Sequence, residues 1–176
     1  RGTAPGAEAA PWDELLRPDG RPRRASAPLV DHLESLGVAE LAARQDAADL
    51  DMLAMGVTFT VYSDGRGIDR AWPFDVIPRI IDATEWRRIE AGLVQRLQAL
   101  NRFIDDVYND QQVIADGVFP AELLSDAANF RPECVGVRPR YGVWAHISGS
   151  DLVRDRAGPV YVLEDNLRVP SGVSYV

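Results

Sequence analysis

The sequence contains no lysine, because all 19 of its basic residues are arginine. This absence excludes a phosphate-binding loop of the G-x-x-x-x-G-K type, in which the lysine side chain reaches the phosphates. Only one cysteine, Cys134, is present, so the sequence cannot form an internal disulfide bond. Because the sequence also shows no apolar segment typical of a signal peptide, we expect a reducing, cytoplasmic setting.

Long apolar runs are also missing, although hydrophobic residues make up 46% of the chain. No stretch approaches the roughly 20 apolar residues that span a bilayer, so we expect no membrane insertion. The 19 basic and 27 acidic residues give a net charge of −8, which opposes binding to a phosphate backbone. We therefore expect neither a membrane nor nucleic acid as a partner.

The chain changes character after its first 27 residues. Residues 1–27 are rich in alanine, proline, glycine and arginine, and they are predicted to form a disordered arm. Residues 28–176 alternate helix-like and strand-like stretches, which is typical of an α/β (α+β) domain with a mostly antiparallel sheet and flanking helices. Over residues 29–53, the apolar spacing predicts two short helices separated at Gly37.

A hairpin, a long helix and further strands are predicted next. β-Branched and aromatic residues on either side of a glycine-containing turn predict strands at 57–62 and 68–77. Apolar residues at steps of three or four over residues 86–107 predict a helix that faces the core and ends near Gly117. Residues 141–147 are predicted as a strand.

Two more apolar strands, predicted at residues 151–154 and 160–163, carry polar oxygen-bearing residues at their ends. Since both strands are apolar, we expect the hairpin to be buried, and a buried carboxylate costs several kcal/mol unless a cation or hydrogen-bond donors neutralise it. Asp151, Glu164 and Asn166 offer only oxygen ligands, which suit Mg²⁺ far better than zinc. The pattern therefore indicates a magnesium site.

Alternate residues of a strand point to the same face. Glu164 and Asn166 can therefore reach one metal cluster together. Asp165 points to the other face, and we expect it to be a solvated or hydrogen-bonded carboxylate and not a ligand.

Three stretches carry a resemblance to a known family: GVTFTVY at residues 56–62, PFDVIPR at 73–79 and EDNLRVPSGVSY at 164–175. Together with an aspartate 13 positions before Glu164, they resemble the circularly permuted ATP-grasp family, and more distantly glutathionylspermidine synthase. The similarity runs from about residue 29 to the end of the sequence.

The resemblance implies a ligand set and two cofactors, ATP and Mg²⁺. Asp151, Glu164 and Asn166 match the residues that hold the magnesium ions bridging the ATP phosphates. Arg168 is a candidate to contact phosphate and to act in catalysis. In that family the lysines that clamp the nucleotide come later in the chain, so we expect this sequence to be the metal-binding part of a larger domain, inactive by itself.

The implied reaction joins a small-molecule carboxylate to a small-molecule amine. ATP would phosphorylate the carboxylate, and the amine would attack the resulting acyl phosphate to give an amide. The sequence identifies neither the two substrates nor the oligomeric state.

Other interpretations of the same residues stay open. Asp and Asn favour turns, so residues 164–166 could simply end a strand, and Asp151 could accept backbone N–H groups of its own turn. Gly149 stands where related synthetases often have an arginine, which puts phosphate stabilisation from that position in doubt. His146 is expected to be a core histidine; it is also the only nearby candidate for the base of a metal-dependent hydrolase.

The alternative from another functional class is a non-catalytic binding or assembly module that kept the fold without the nucleotide site. Lysines on strand-like segments after Val176 would favour the ligase. A natural stop codon at that point would favour the module.

Overall fold

The computed structural model describes residues 12–63, 66–170 and 173. These residues form helices and two antiparallel strand pairs, which confirms the predicted α/β (α+β) class. Within the described residues, the strands form two separate two-stranded hairpins. No helix in this part of the chain has the length and apolar character needed to cross a membrane.

The chain divides into two compact units, and the first consists of Asp13–Ala83. It begins with a tight turn, in which Leu16 and Pro22 form an isolated antiparallel bridge. Ser26 is fully buried, and its hydroxyl donates to a backbone carbonyl of this turn. Several residues between positions 13 and 26, within the predicted disordered arm, therefore make hydrogen bonds in this turn.

Helix α1 (Ala27–Ala54) contains one non-helical residue, Gly37, at φ 76° and ψ 163°. This left-handed φ is accessible to glycine because glycine has no Cβ. The interruption confirms the predicted separation of two helical segments at Gly37.

The first hairpin pairs β1 (Thr58–Ser63) with β2 (Arg66–Ala71). It confirms the predicted hairpin, whereas the residues of the tip, 64 and 65, lie outside the described residues. The second strand ends at Ala71 and does not extend to residue 77, since Pro73 lacks the N–H group that would continue the ladder.

The segment after β2 is held by side chains of the same unit. Gln45 of α1 donates to the carbonyl of Phe74 at 2.5 Å and accepts the N–H of Val76 at 3.1 Å. Arg79 forms a two-pronged ion pair with Glu14, with N–O distances of 2.7 and 2.6 Å. These contacts fix the family-like stretch against α1 and the N-terminal turn.

The second unit comprises Thr84–Val176 with Arg1–Trp12, and α2 (Ala83–Tyr108) is its longest helix. The helix stops before the predicted end at Gly117, because Asp106 accepts the first two backbone N–H groups of the next helix at 2.9 and 3.0 Å. Further helical segments among the described residues are α3 (Gln112–Ala115), α4 (Ala121–Ser125) and the 3₁₀ turns Pro132–Cys134 and Arg140–Gly142.

The predicted strand at residues 141–147 is wrong. Tyr141 has a left-handed φ of 65° inside the 3₁₀ turn, and Asn101 of α2 binds the backbone at the C-terminal end of this turn. Its side-chain oxygen accepts the N–H of Trp144 at 2.7 Å, and its amide donates to the last carbonyl of the turn at 2.6 Å. The Trp144 ring stacks on Tyr108 with ring centroids 5.1 Å apart. Packing against α2 thus overrides the β propensity of this stretch.

Few apolar side chains are buried in the described part of the chain. Val30 and Val107 are the buried aliphatic residues, at 9% and 7% exposure. The prediction that the stripe over residues 86–107 is core is confirmed at Val107 only, because Trp86 is 43% exposed and the other stripe residues are half-buried.

Candidate functional site

The candidate site lies on the second hairpin, which pairs β3 (Gly149–Arg154) with β4 (Val160–Asn166). Asp151 pairs directly with Glu164, and the register shifts between Asp151 and Leu152. Because Leu152 pairs with Val162, Leu163 has no partner on β3. The shift is a β-bulge, which bends a strand and increases its twist.

The bulge decides which side chains of β4 share a face. Val162 is half-buried and Leu163 is exposed, so strict alternation would put Glu164 on the half-buried face. The extra residue reverses the alternation: Glu164 and Asn166 are exposed, and Asp165 between them is half-buried. A one-residue shift thus moves the predicted ligands to the open face.

The structure brings together three of the predicted site residues. Asp151 and Glu164 are cross-strand partners, and the Asn166 amide donates to Oε1 of Glu164 at 3.1 Å. All three residues are exposed. The expectation that this hairpin is buried is therefore wrong for the face that carries these three residues, because that face is open.

Asp165 confirms the prediction that it points away from this set and is hydrogen-bonded. Its side chain is 6% exposed and accepts from the Ser150 hydroxyl at 2.7 Å and from Nε of Arg96 at 2.5 Å. Burial raises the pKa of the Asp165 carboxyl, but the hydrogen bonds from Ser150 and Arg96 and the positive charge of Arg96 outweigh it and lower the pKa overall. The carboxylate is therefore a charged anchor between β4, β3 and α2.

A second ion pair ties the same hairpin to the same helix. Arg154 donates to both carboxylate oxygens of Glu85 at 2.7 and 3.1 Å and to the carbonyl of Gly158 at 2.7 Å. The Arg154 guanidinium also lies 5.8 Å from the centre of the Trp12 ring. One face of the hairpin is thus fastened to α2 near both ends of β3, and the acidic face stays open.

A side chain at position 149 would be too close to neighbouring atoms. A Cβ at this position would lie 3.0 Å from Cβ of Pro170, which is buried, and 3.9 Å from Cβ of Asn166. A long side chain would therefore have to displace the segment that follows β4. This accounts for a glycine where related synthetases often have an arginine.

Arg168 lies two residues after β4 and is exposed, and it has no hydrogen bond or ion pair within the described part of the chain. The next residue, Val169, has a left-handed φ of 48°, a conformation that β-branched residues rarely adopt. The structure thus leaves the guanidinium of Arg168 accessible to an anion, on a strained segment directly after the three oxygen-bearing residues.

The other residues considered in the sequence lie elsewhere or lack a suitable setting. His146 is exposed, so the expectation of a core histidine is wrong. Cys134 is a free cysteine in a 3₁₀ turn. Asp75 accepts the N–H of Ile77 at 2.8 Å, and Arg79 is paired with Glu14.

The donor set fits a hard cation. It offers two carboxylates and one amide oxygen and neither sulfur nor imidazole, which is the chemistry that Mg²⁺ prefers. Among the described residues, no group of three or more His, Cys, Asp or Glu side chains is placed to hold a metal ion. Any cation here would thus depend on Asn166 and on non-protein oxygens such as phosphate or water.

Sequence reasoning missed the residues that hold this arrangement. Arg96 and Asp165 are 69 positions apart, and no local pattern links them. The β-bulge in β4 was not predicted from the sequence either. The one sequence feature that accompanies it is the run Val162–Leu163–Glu164, in which two consecutive apolar residues precede the acid.

The fold and site define a class: a mixed helix-and-hairpin protein that presents two carboxylates and an amide on one open strand face. A family model described as circularly permuted ATP-grasp type 2 matches residues 78–176, a range that contains all the candidate ligands. The chain belongs to the circularly permuted ATP-grasp family, which confirms the resemblance seen in its motifs.

Relatives of the chain are considerably longer than the chain itself. An uncharacterized protein of Synechocystis sp. is 48% identical over 165 residues, which cover 94% of this chain and 34% of that protein. An uncharacterized protein of Mycobacterium tuberculosis is 41% identical over 168 residues, covering 96% of this chain and 30% of that protein. A Frankia alni protein named "Putative glutamate–cysteine ligase 2-3" is 38% identical over 169 residues, covering 96% and 19%. The chain thus spans about a third or less of these relatives.

Proposed function

We propose that the full-length protein is an ATP- and Mg²⁺-dependent carboxylate–amine ligase, and that this chain supplies its metal-binding part. The observation that carries the proposal is the convergence of Asp151, Glu164 and Asn166 on one open face in a member of the circularly permuted ATP-grasp family. We also propose that the substrates are small molecules and that the protein is cytoplasmic.

In the proposed site, Asp151 and Glu164 hold the cation with their carboxylates, and Asn166 adds its amide oxygen. When bound, Mg²⁺ offsets the charge of the phosphoryl group that is being transferred. Arg168 contacts a phosphate oxygen, which its accessible guanidinium can do with several N–H donors.

The proposed reaction has two steps. A carboxylate oxygen of one substrate attacks the γ-phosphorus of ATP, the bond to ADP breaks, and an acyl phosphate forms. The amine of the second substrate then attacks the acyl carbon and loses a proton, and phosphate leaves. The amide, ADP and phosphate are the products.

A relative's name gives the first substrates to test. Because the Frankia alni relative is named as a glutamate–cysteine ligase, glutamate and cysteine form the first carboxylate and amine pair, ahead of other amino acids. Full-length gene product would be assayed for ADP release with Mg²⁺, with hydroxylamine as a general amine that traps acyl phosphates as hydroxamates.

The proposal predicts ADP release that depends on both Mg²⁺ and a carboxylate substrate. Glu164→Gln should abolish this release, whereas Asp155→Asn should not, because Asp155 is an exposed acid in the turn of the same hairpin, away from the ligand set. Failure to release ADP or form a hydroxamate with any carboxylate would instead favour a non-catalytic module.

A further inference from the structure

We infer that Asp165, held by Arg96 and Ser150, is a positioning residue that sets the orientation in which β4 presents Glu164 and Asn166. This inference rests on the metal site of the proposed function. It extends that site to α2, because Arg96 belongs to this helix.

The position of Asp165 in the strand supports this role. Asp165 lies between two of the proposed ligands and points to the opposite face, so whatever fixes its side chain also fixes which way its neighbours point. The bulge residue Leu163 lies two positions before it, so the ladder between β3 and β4 is locally disrupted close to the ligands. A slip of one residue there would turn Glu164 and Asn166 away from Asp151.

The hydrogen bonds of Asp165 also support this role. Asp165 uses both carboxylate oxygens, one for the Ser150 hydroxyl at 2.7 Å and the other for Nε of Arg96 at 2.5 Å. Ser150 is its direct partner on β3, and the carboxylate is 6% exposed. The Arg96 side chain is 48% exposed, so the pair is shielded at its carboxylate end, and its charge-assisted hydrogen bond is stronger than a bond between neutral groups. The anchor thus fixes β4 against β3 and α2 at the residue between the ligands.

The charge of Arg96 gives this inference a distinctive test. If Arg96 influenced a bound cation only through space, then replacing it with glutamine would remove a positive charge and tighten cation binding. If Arg96 acts by holding Asp165, the same replacement should weaken cation binding. The two explanations thus predict changes of opposite sign.

The test is a titration of the full-length gene product with Mn²⁺, followed by the electron paramagnetic resonance signal of the free ion. We expect Arg96→Gln to weaken Mn²⁺ binding about 10-fold or more, the range typical for residues that orient metal ligands. Arg96→Lys, which keeps the positive charge and can still donate to Asp165, should recover part of the affinity. Ser150→Ala, which changes no charge, should weaken binding by a smaller factor.

Glu85→Gln is the matched control. It weakens the ion pair between Glu85 of α2 and Arg154 of this hairpin, which lies at the end of β3 away from the bulge. A merely structural role of Arg96 predicts that both variants lower the melting temperature and leave Mn²⁺ affinity unchanged. Positioning predicts that Arg96→Gln weakens Mn²⁺ binding and that Glu85→Gln does not.

Unchanged or tighter Mn²⁺ binding by Arg96→Gln would overturn the inference, as would an equal loss in Glu85→Gln. If circular dichroism shows that Arg96→Gln does not fold, Arg96→Lys and Ser150→Ala are used in its place. The inference is then overturned if both of these variants bind Mn²⁺ as tightly as the parent protein does. The proposed metal site fails separately, if the parent does not bind Mn²⁺ or if Glu164→Gln binds it as well as the parent.

Discussion

Replacing Glu164 with glutamine removes one of two carboxylates that face each other across β3 and β4. Asp151 and Glu164 are direct cross-strand partners, and like charges in this arrangement are destabilising. At a separation of roughly 5 Å in a water-like dielectric, the repulsion is about 0.8 kcal/mol. Glutamine keeps the Oε1 acceptor that Asn166 uses at 3.1 Å. Without metal, Glu164→Gln should therefore be more stable than the parent.

The effect should appear in thermal unfolding followed by circular dichroism, first in EDTA and then with Mg²⁺. A gain of about 0.8 kcal/mol corresponds to a rise of roughly 2–3 °C for a domain of this size. Mg²⁺ at ten times its Kd should stabilise the parent by about 1.4 kcal/mol and leave the variant unchanged. The order of the two melting temperatures should therefore reverse when Mg²⁺ is added.

Asp155→Asn is the control, since it removes an exposed acid of the same hairpin that has no acid opposite to it. It should change neither melting temperature by more than the error. A lower melting temperature of Glu164→Gln in EDTA would refute the reasoning, because Glu164 would then stabilise the strand end, as the turn interpretation requires.

Three further substitutions test the surroundings of the site and the N-terminal turn. Gly149→Val should destabilise the protein by about 1–3 kcal/mol through overpacking and should weaken Mg²⁺ binding. Gly92→Ala, at a position with open space around it, should leave the stability unchanged or raise it. Equal changes of stability for the two variants in unfolding experiments would contradict the packing argument. Val169→Asn should raise the stability by about 1 kcal/mol, because asparagine tolerates a positive φ, and a loss in denaturant unfolding would contradict the strain. Ser26→Ala should cost about 1 kcal/mol and more than Ser35→Ala, whose hydroxyl bond is exposed; equal losses would show that burial of the serine has no role.

Local patterns were enough to predict much of the fold. Gly37 interrupts α1 as predicted, since its effect on the backbone depends on one residue and not on packing. The opposite faces of Asp165 and its two neighbours also followed from strand geometry alone. These features need no knowledge of what lies nearby in space.

Features that depend on contacts between distant residues could not be predicted in this way. Residues 141–147 have the composition of a strand, but Asn101 and stacking on Tyr108 hold them in another conformation. The bulge places Glu164 opposite Asp151 through the pairing of β3 with β4. The ion pair between Arg96 and Asp165 likewise joins two separate elements, α2 and β4. The ligand residues were thus predictable by type, and their arrangement was not.

The most direct test of the central claim is calorimetry of ATP binding to the full-length gene product, with and without Mg²⁺, beside a variant carrying Glu164→Gln and Asn166→Ala. The account predicts that the parent binds ATP in a Mg²⁺-dependent manner and that the variant loses most of this affinity. Equal Mg²⁺-dependent binding by parent and variant would contradict the assignment of the metal site, and no ATP binding by the parent would contradict the ligase proposal as a whole.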